Sequence, residues 1–217
     1  MKEKELALLL FDRGAIKFGA FRLKLHDTNL NAPLSPFYIN LRDENNPKPG
    51  PLQTDDYRLI AECMWQKALK SNPELQAIAG IPKAGDPIAQ ALLKVVPKPR
   101  GFRLIELDKE ETEKGRTIVP KTGFEYRKGE IVLLIDDLIT GGHTKTESIK
   151  AIKSQGAIVN DLLVLVDREQ GGKEDLAKAG YNLISVFGVI SLFNFYRSEG
   201  LIDEAKYWEC FQYIRRN

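Results

Sequence analysis

Several residue types are scarce in this 217-residue chain, and each scarcity excludes a class of protein. The two cysteines, Cys63 and Cys210, are too few for a disulfide framework and are not spaced as metal ligands, which is typical of a reducing compartment. No apolar run is long enough to span a bilayer, and the one near the start is too short and too acidic for a signal peptide. The 32 basic residues nearly balance the 30 acidic residues, so no excess charge would attract nucleic acid. We therefore expect a cytoplasmic protein without a nucleic-acid or membrane partner.

Short apolar runs alternate with segments of helical periodicity along most of the chain. The runs at residues 77–81, 102–107, 131–135, 161–166 and 183–187 predict buried strands. Strands separated by helices form parallel sheets, because each crossover returns the chain to the same edge. We predict an α/β fold with a central, mostly parallel sheet flanked by helices, within one domain that covers residues 1–217.

Two segments fall outside this alternation. Residues 15–24 and 36–42 alternate apolar and polar side chains, so we predict an antiparallel strand pair in a small N-terminal hood within residues 1–50. The segment at about 106–127 is dense in charge and has no apolar face. We expect it to be a mobile lid loop without regular structure, a surface hairpin being the alternative.

The stretch from 131 to 144 organises the rest of the chain. Asp136 and Asp137 directly follow an apolar strand, and the turn 140–144 (Thr-Gly-Gly-His-Thr) precedes a helix. Ligands bind at the carboxyl edge of such sheets, where glycines let backbone N–H groups approach a phosphate and the helix N-terminus adds partial positive charge. Carboxylates would repel a phosphate, so they suit sugar hydroxyls or a divalent cation that bridges sugar and pyrophosphate. This chemistry indicates a bound ribose 5-phosphate.

Two further features are expected at the same edge. The turn 82–87 follows the strand at 77–81 and carries Lys83, which suits a second anionic group such as pyrophosphate, although an ordinary βα loop would look similar. Arg168 follows the strand at 161–166 and could bind a carboxylate through two parallel hydrogen bonds, or pair with an acidic neighbour in the chain.

The stretch 131–144 resembles the phosphoribosyl pyrophosphate (PRPP) signature of the type I phosphoribosyltransferases, an acidic pair followed by Thr-x-Gly-x-Thr. From about Leu9 to Ser198 the chain is similar to the orotate phosphoribosyltransferases, a branch of that family, most specifically at 16–24, 35–42 and 166–172. The resemblance implies transfer of ribose 5-phosphate from PRPP to orotate, giving orotidine 5′-monophosphate and pyrophosphate. It also implies a Mg²⁺ cofactor and a homodimer in which the lid of one subunit reaches the other's active site.

The same resemblance assigns roles residue by residue. The ribose hydroxyls would be held by Asp136 and Asp137, which could also be ligands of a Mg²⁺ ion held mainly through PRPP. The PRPP phosphates would be bound by Thr140, Gly141, Gly142, His143, Thr144, Lys83, Ala84 and Gly85. The orotate pocket would be lined by Lys24, Phe37, Tyr38, Thr140 and Arg168. The catalytic groups would be the acidic pair and two lid cations, Lys109 and Lys114.

Two departures from the family pattern leave other functions open. In the lid, Asp108 stands where the family has an arginine, and Thr112 stands where it has the lysine that assists pyrophosphate departure. The Lys-Ser-Gly turn that contacts orotate reads Lys-Leu-His at residues 24–26. The alternatives are therefore a phosphoribosyltransferase for another base and a catalytically silent, PRPP-binding regulatory protein.

Overall fold

The computed structural model describes residues 2–27, 29–71, 74–97, 102–112 and 115–216, without the side chains of residues 24, 25, 71, 112, 116, 143 and 144. In chain order its elements are α1 (Lys2–Asp12), β1 (Ile16–Phe21), β2 (Ser35–Ile39), α2 (Asp56–Ser71), β3 (Ala77–Gly80), α3 (Gly85–Val95), β4 (Arg103–Ile105), β5 (Leu107–Thr112), β6 (Gly115–Pro120), β7 (Val132–Ile139), α4 (His143–Lys153), β8 (Asp161–Asp167), α5 (Gly172–Lys178), β9 (Asn182–Gly188), α6 (Val189–Ser198) and α7 (Glu204–Arg216). A short 3₁₀ helix spans Lys24–Asp27. None of the described helices is long and apolar enough to cross a membrane.

A five-stranded parallel sheet forms the centre of the molecule, in the strand order β4-β3-β7-β8-β9. This confirms the α/β architecture predicted from the alternation of strands and helices. The register pairs Gly80 of β3 with Ile135 of β7, and Ile139 of β7 with Asp167 of β8. The carboxyl ends of these three strands therefore meet at one edge, where the predicted ligand-binding turns emerge.

The central strand β7 is buried on both faces because two apolar layers cover the sheet. Leu133 and Ile135 belong to a large cluster that also holds residues of α1, α2, α3, α6 and α7, whereas Val132 and Leu134 belong to a second cluster with residues of α4 and α5. This division follows the two-residue period of a strand. Each such side chain contributes about 1.5–3 kcal/mol by its burial, which fixes the end of β7 and the acidic pair that follows.

The N-terminal strands pair outside the main sheet. β1 and β2 are antiparallel, with Ile16 opposite Ile39, as the alternating pattern predicted. The pair packs against the end of the chain, since Phe37 of β2 contacts the rings of Phe193 and Tyr213 at centroid distances of 4.9 and 6.0 Å. The hood is thus held by α6 and α7, which follow it by about 150 residues or more.

The predicted lid segment has more regular structure than its composition suggested. β5 and β6 form an antiparallel hairpin with Leu107 opposite Pro120 and Lys109 opposite Ile118. The expectation of an irregular loop was wrong because Leu107 and Ile118 are buried in the second apolar cluster. The Lys121 ammonium also pairs with the Glu106 carboxylate at 2.5 Å, closing the base of the hairpin. The mobility of this hairpin stays a prediction.

Candidate active site

A cleft of about 1060 Å³ opens at the carboxyl edge of the sheet, between the hood and the hairpin. Its walls come from the ends of β3, β7 and β8, from β2 and from β5. The cleft brings together many of the residues that were predicted from widely separated motifs, namely Tyr38, Lys83, Ala84, Lys109, Asp136, Asp137, Thr140 and Arg168.

The acidic pair lies at the end of β7, with Asp136 buried and Asp137 partly buried. The Oδ1 atom of Asp136 accepts the backbone N–H of Asp137 at 2.9 Å, and its Oδ2 atom accepts a hydrogen bond from the Lys145 ammonium. Burial raises the pKa of Asp137 to about 7 and the charge of Asp136 adds to this rise, while Lys145 and Arg42 oppose it. A second full negative charge is therefore costly here, so the pair favours a ligand that brings hydroxyl donors or a cation.

The phosphate loop joins β7 to α4. Gly142 immediately precedes the first turn of α4, which contains His143 and Thr144, whose side chains lie outside the described part. A Cβ atom on Gly142 would lie 2.8 Å from Cβ of Asp175, whereas one on Gly141 would have no neighbour closer than 4.0 Å. The packing of α5 thus requires Gly142 and leaves space at Gly141. Thr140 is exposed in the cleft, so the loop offers a hydroxyl beside the first backbone N–H groups of α4.

The predicted pyrophosphate turn between β3 and α3 is tied directly to β7. The backbone N–H of Ile81 donates to the carbonyl of Ile135 at 2.8 Å, and the N–H of Gly85 donates to the carbonyl of Ile81 at 2.8 Å. A Cβ atom on Gly85 would lie 2.2 Å from the Ile135 oxygen, so only glycine fits there. The peptide bond between Pro82 and Lys83 is cis. The close approach of Gly85 to the Ile135 carbonyl fixes the position of the turn. The exposed Lys83 of this turn lines the same cleft as the acidic pair.

Arg168 supplies a buried cation to the wall of the cleft. It is only 4% exposed, and its Nε atom donates to Oε1 of Gln170 at 2.9 Å. The guanidinium lies 4.7 Å from the ring centroid of Phe37, and its buried Nη2 atom has no hydrogen-bond partner among the residues that the structure describes. Burial lowers the pKa of Arg168, which is the expected cost of desolvating a cation. A buried guanidinium with an unused donor at a cleft wall predicts an anionic or carbonyl acceptor on a ligand.

The other residues predicted to line the orotate pocket differ in whether they reach the cleft. Tyr38 lines the cleft, whereas Phe37 is fully buried behind Arg168 and does not reach the cleft wall. The two differ because neighbouring residues of a strand point to opposite faces. Lys24 lies in the 3₁₀ helix, and its side chain is outside the described part of the chain.

The hairpin brings one of its two predicted cations to the cleft. Lys109 of β5 lines the cleft together with Glu111. Burial lowers the pKa of Lys109, and the negative charge of Asp136 opposes that change. Lys114 lies outside the described residues.

Comparison with known proteins agrees with this geometry. Residues 53–192 match the family model described as a phosphoribosyl transferase domain. The chain is 34% identical over 194 residues to the orotate phosphoribosyltransferase of Pyrococcus abyssi, covering 89% of this chain and 96% of that one. The chain belongs to the orotate phosphoribosyltransferases.

Solved structures of this family share the fold. The orotate phosphoribosyltransferase of Aeropyrum pernix superposes with a TM-score of 0.71 at 26% identity, covering 91% of this chain and 99% of that chain. The UMP synthase of Leishmania donovani gives a TM-score of 0.76 at 31% identity over 99% of this chain, which spans only 42% of the length of that protein.

Two cations of this orotate phosphoribosyltransferase homologue escaped the sequence analysis. Lys145 is 9% exposed and lines the cleft. It comes directly after the predicted phosphate loop, but no role was predicted for it. The available signal was its place in the first turn of α4, where the helix dipole disfavours a cation unless an acidic partner is near. Arg42 also lines the cleft and lies at the end of the segment 36–42, which was used for the strand prediction and for the family resemblance but not for a binding residue.

The donor set fits a magnesium ion that arrives with the substrate. No group of three or more His, Cys, Asp or Glu residues in the described ranges could hold a metal. Mg²⁺ commonly takes one or two carboxylates and completes its shell with substrate phosphates and water. Asp136 is already paired with Lys145, so Asp137 is the carboxylate best placed for such an ion.

Proposed function

We propose that this orotate phosphoribosyltransferase homologue transfers the ribose 5-phosphate group of PRPP to orotate, forming orotidine 5′-monophosphate and pyrophosphate. One observation carries the proposal: Arg168, whose Nη2 atom has no hydrogen-bond partner within the described part of the chain, lines the same cleft as the acidic pair and Thr140 of the phosphate loop. Orotate has a carboxylate and ring carbonyls that match a planar guanidinium, and PRPP has the diol and phosphates that match the acidic pair and the phosphate loop.

The geometry supports a division of PRPP among three parts of the cleft. The 5-phosphate would bind at Thr140 and the N-terminus of α4, where the helix dipole favours an anion. The ribose hydroxyls would donate to the acidic pair. The pyrophosphate would bind beside Lys83 and Lys109, the exposed ammonium groups of the turn and the hairpin that line the cleft.

In the reaction, the bond between C1 of the ribose and the pyrophosphate oxygen breaks, and its electron pair leaves with pyrophosphate. A bond forms between C1 and N1 of orotate, and the proton on N1 is released. Positive charge develops on the sugar while negative charge grows on pyrophosphate, so Lys83 and Lys109 would stabilise the leaving group electrostatically. Closure of the hairpin would exclude water, which would otherwise attack the cationic sugar.

We further propose that Mg²⁺ is the cofactor, held by the pyrophosphate of PRPP and by Asp137. When bound, the ion would neutralise charge on the departing pyrophosphate. We also propose that the protein is a homodimer with a lid shared between subunits, as the family resemblance implies. A cytoplasmic location is supported by Cys63 and Cys210, which are both buried as free thiols.

The test is orotate consumption, followed by ultraviolet absorbance in the presence of PRPP and Mg²⁺. We expect loss of orotate with the native protein and none with the Asp136→Asn/Asp137→Asn double variant, whose folding is checked by circular dichroism. Turnover with a different base only would contradict the orotate assignment. Bound PRPP without turnover of any base would indicate a regulatory protein instead.

A further inference from the structure

Lys145 occupies a position that is electrostatically unfavourable on its own. It is the third residue of α4, where the helix dipole is positive, and its side chain is only 11% exposed. Burying an ammonium group there costs desolvation energy that must be offset by an anion. That anion is Asp136, whose Oδ2 atom accepts the hydrogen bond from Lys145.

The ion pair gives the carboxylates of Asp136 and Asp137 different hydrogen-bond partners. Both oxygens of Asp136 are engaged by protein donors, Oδ2 by Lys145 and Oδ1 by the backbone N–H of Asp137. Neither of these donors engages the carboxylate of Asp137, which lines the cleft.

We propose that Lys145 is a built-in counter-ion of the acidic pair: it positions Asp136, leaves Asp137 to bind the ribose hydroxyls, and reduces the amount of divalent cation that PRPP binding requires. The inference deepens the proposed function and rests on PRPP being the ligand of this cleft. Without Lys145, two carboxylates would face a substrate with three phosphate groups. A divalent cation would then have to supply the positive charge that the ammonium supplies in the native chain.

The test is isothermal titration of PRPP into the full chain, once with Mg²⁺ and once with EDTA. We compare the native protein with Lys145→Met, Lys145→Arg and the control Lys150→Met, which removes an exposed lysine from the same helix. Lys145→Met is expected to weaken PRPP binding about tenfold or more in EDTA, and to increase the ratio of affinities with and without Mg²⁺ by a similar factor. Lys145→Arg should keep most of the native behaviour because it keeps the charge, and Lys150→Met should match the native protein.

A second variant guards against misfolding, because Lys145→Met leaves Asp136 buried without its partner. Asp136→Asn/Lys145→Met removes both charges and restores the net charge of the pair. We expect it to bind PRPP in EDTA more tightly than Lys145→Met does, because no unpaired carboxylate is left buried, but less tightly than the native protein, because Asp136 belongs to the pair assigned to the ribose hydroxyls. Asp137→Asn should weaken PRPP binding both in the native chain and in the Asp136→Asn/Lys145→Met variant, because Asp137 is assigned to the ribose hydroxyls.

The outcomes separate the two proposals. If the native protein fails to bind PRPP even with Mg²⁺, the proposed function is wrong and this inference with it. If the native protein binds PRPP but the folded Lys145→Met variant has an unchanged Mg²⁺ ratio, only the counter-ion role is refuted. It is equally refuted if the double variant binds no better than Lys145→Met.

Discussion

The guanidinium of Arg168 lies 4.7 Å from the ring centroid of Phe37, at the boundary between the cleft and the apolar core. The ring supports the cation from the core side and is itself packed edge-on against Phe193 at 4.9 Å. Phe37 thus supports Arg168, which is proposed to bind orotate, and does not itself line the cleft. This relationship separates two effects of substitution, the loss of packing and the loss of support for the guanidinium.

Phe37→Leu should weaken orotate binding by about threefold to tenfold, because the cation–π contact and the shape of the platform are lost. It should also lower the free energy of unfolding by about 1–2 kcal/mol through lost core volume. Phe18→Leu is the matched control, since Phe18 packs against the same Phe193 ring at 5.3 Å. Steady-state kinetics with orotate varied should show a raised KM for Phe37→Leu alone, whereas urea unfolding should show a loss for both variants, smaller for the partly buried Phe18. Equal orotate affinities in the two variants would contradict the platform role.

Arg168→Met should raise the KM for orotate about 10- to 100-fold, because a hydrogen bond to a charged group contributes a free energy of that size. The affinity for PRPP should stay near the native value. Arg168→Lys should recover little of this loss, because an ammonium cannot reproduce the planar pair of donors. Steady-state kinetics with each substrate varied in turn measures both effects. A parallel loss of PRPP affinity would show that Arg168 serves the whole cleft and not the base.

Lys109→Met should lower kcat about 100-fold with a small change in the KM for PRPP, because the ammonium is expected to act on the departing pyrophosphate. Lys128→Met removes an exposed lysine outside the cleft lining and serves as the control. The comparison is made at saturating orotate and PRPP. An unchanged kcat for Lys109→Met would remove the hairpin cation from the mechanism.

Gly85→Ala should lower the free energy of unfolding by about 3 kcal/mol or more, because its methyl group would meet the Ile135 carbonyl oxygen at 2.2 Å. Backbone atoms on both sides must move to relieve that clash. Gly141→Ala, where the nearest atom is 4.0 Å away, should stay within about 0.5 kcal/mol of the native protein. Urea unfolding of the two variants measures the difference, and a tolerated Gly85→Ala would show that the turn between β3 and α3 can shift away from β7.

Asp86 makes the stability of the protein dependent on pH. It lines a smaller cavity of about 290 Å³ next to the main cleft, where burial raises its pKa from 3.8 to about 6, with the charges of Glu106 and Asp136 adding to the rise. A carboxyl group with a raised folded-state pKa favours the folded state in its protonated form, so its contribution is fully present below about pH 4 and is lost as the pH rises through about 6.

Asp86→Asn should therefore unfold like the native protein at about pH 4 and be more stable by about 2 kcal/mol at about pH 7.5. The measurement is the difference in urea unfolding free energy at several pH values. Asp55→Asn, at an exposed position before α2, should give no comparable pH dependence. A constant difference across the range would mean that the raised pKa of Asp86 has no part in stability.

The sequence predicted the sheet and its ligand-binding edge because both depend on local patterns. The apolar run before Asp136 and the glycine-containing turn after it can each be recognised within about fifteen residues. The alternation of strands with helices follows from such local segments taken in order. Arg168 was placed on the correct edge for the same reason, since it follows a buried strand.

The remaining features depend on contacts between distant segments. The hairpin β5–β6 is ordered by Leu107 and Ile118, which are isolated apolar residues in a charged stretch and gain a partner only when the second core cluster forms. The reach of Lys145 to Asp136 depends on how α4 packs on β7, which no periodicity reveals. Phe37 and Tyr38 are adjacent in sequence, and only the pairing of β2 decides which of them faces the cleft.

The packing of the hood against α6 and α7 sets the order in which the two halves of the cleft can be completed during synthesis. The turns expected to hold PRPP follow β3 and β7, which pair with each other and come before α6 and α7 in the chain. Phe37 and the guanidinium above it gain their support from Phe193 and Tyr213, and the Tyr196 hydroxyl donates to the carbonyl of Ala7 at 2.8 Å. The Arg168 end of the cleft therefore lacks part of its packing support until residue 213 has been synthesised, whereas the turns after β3 and β7 are made earlier.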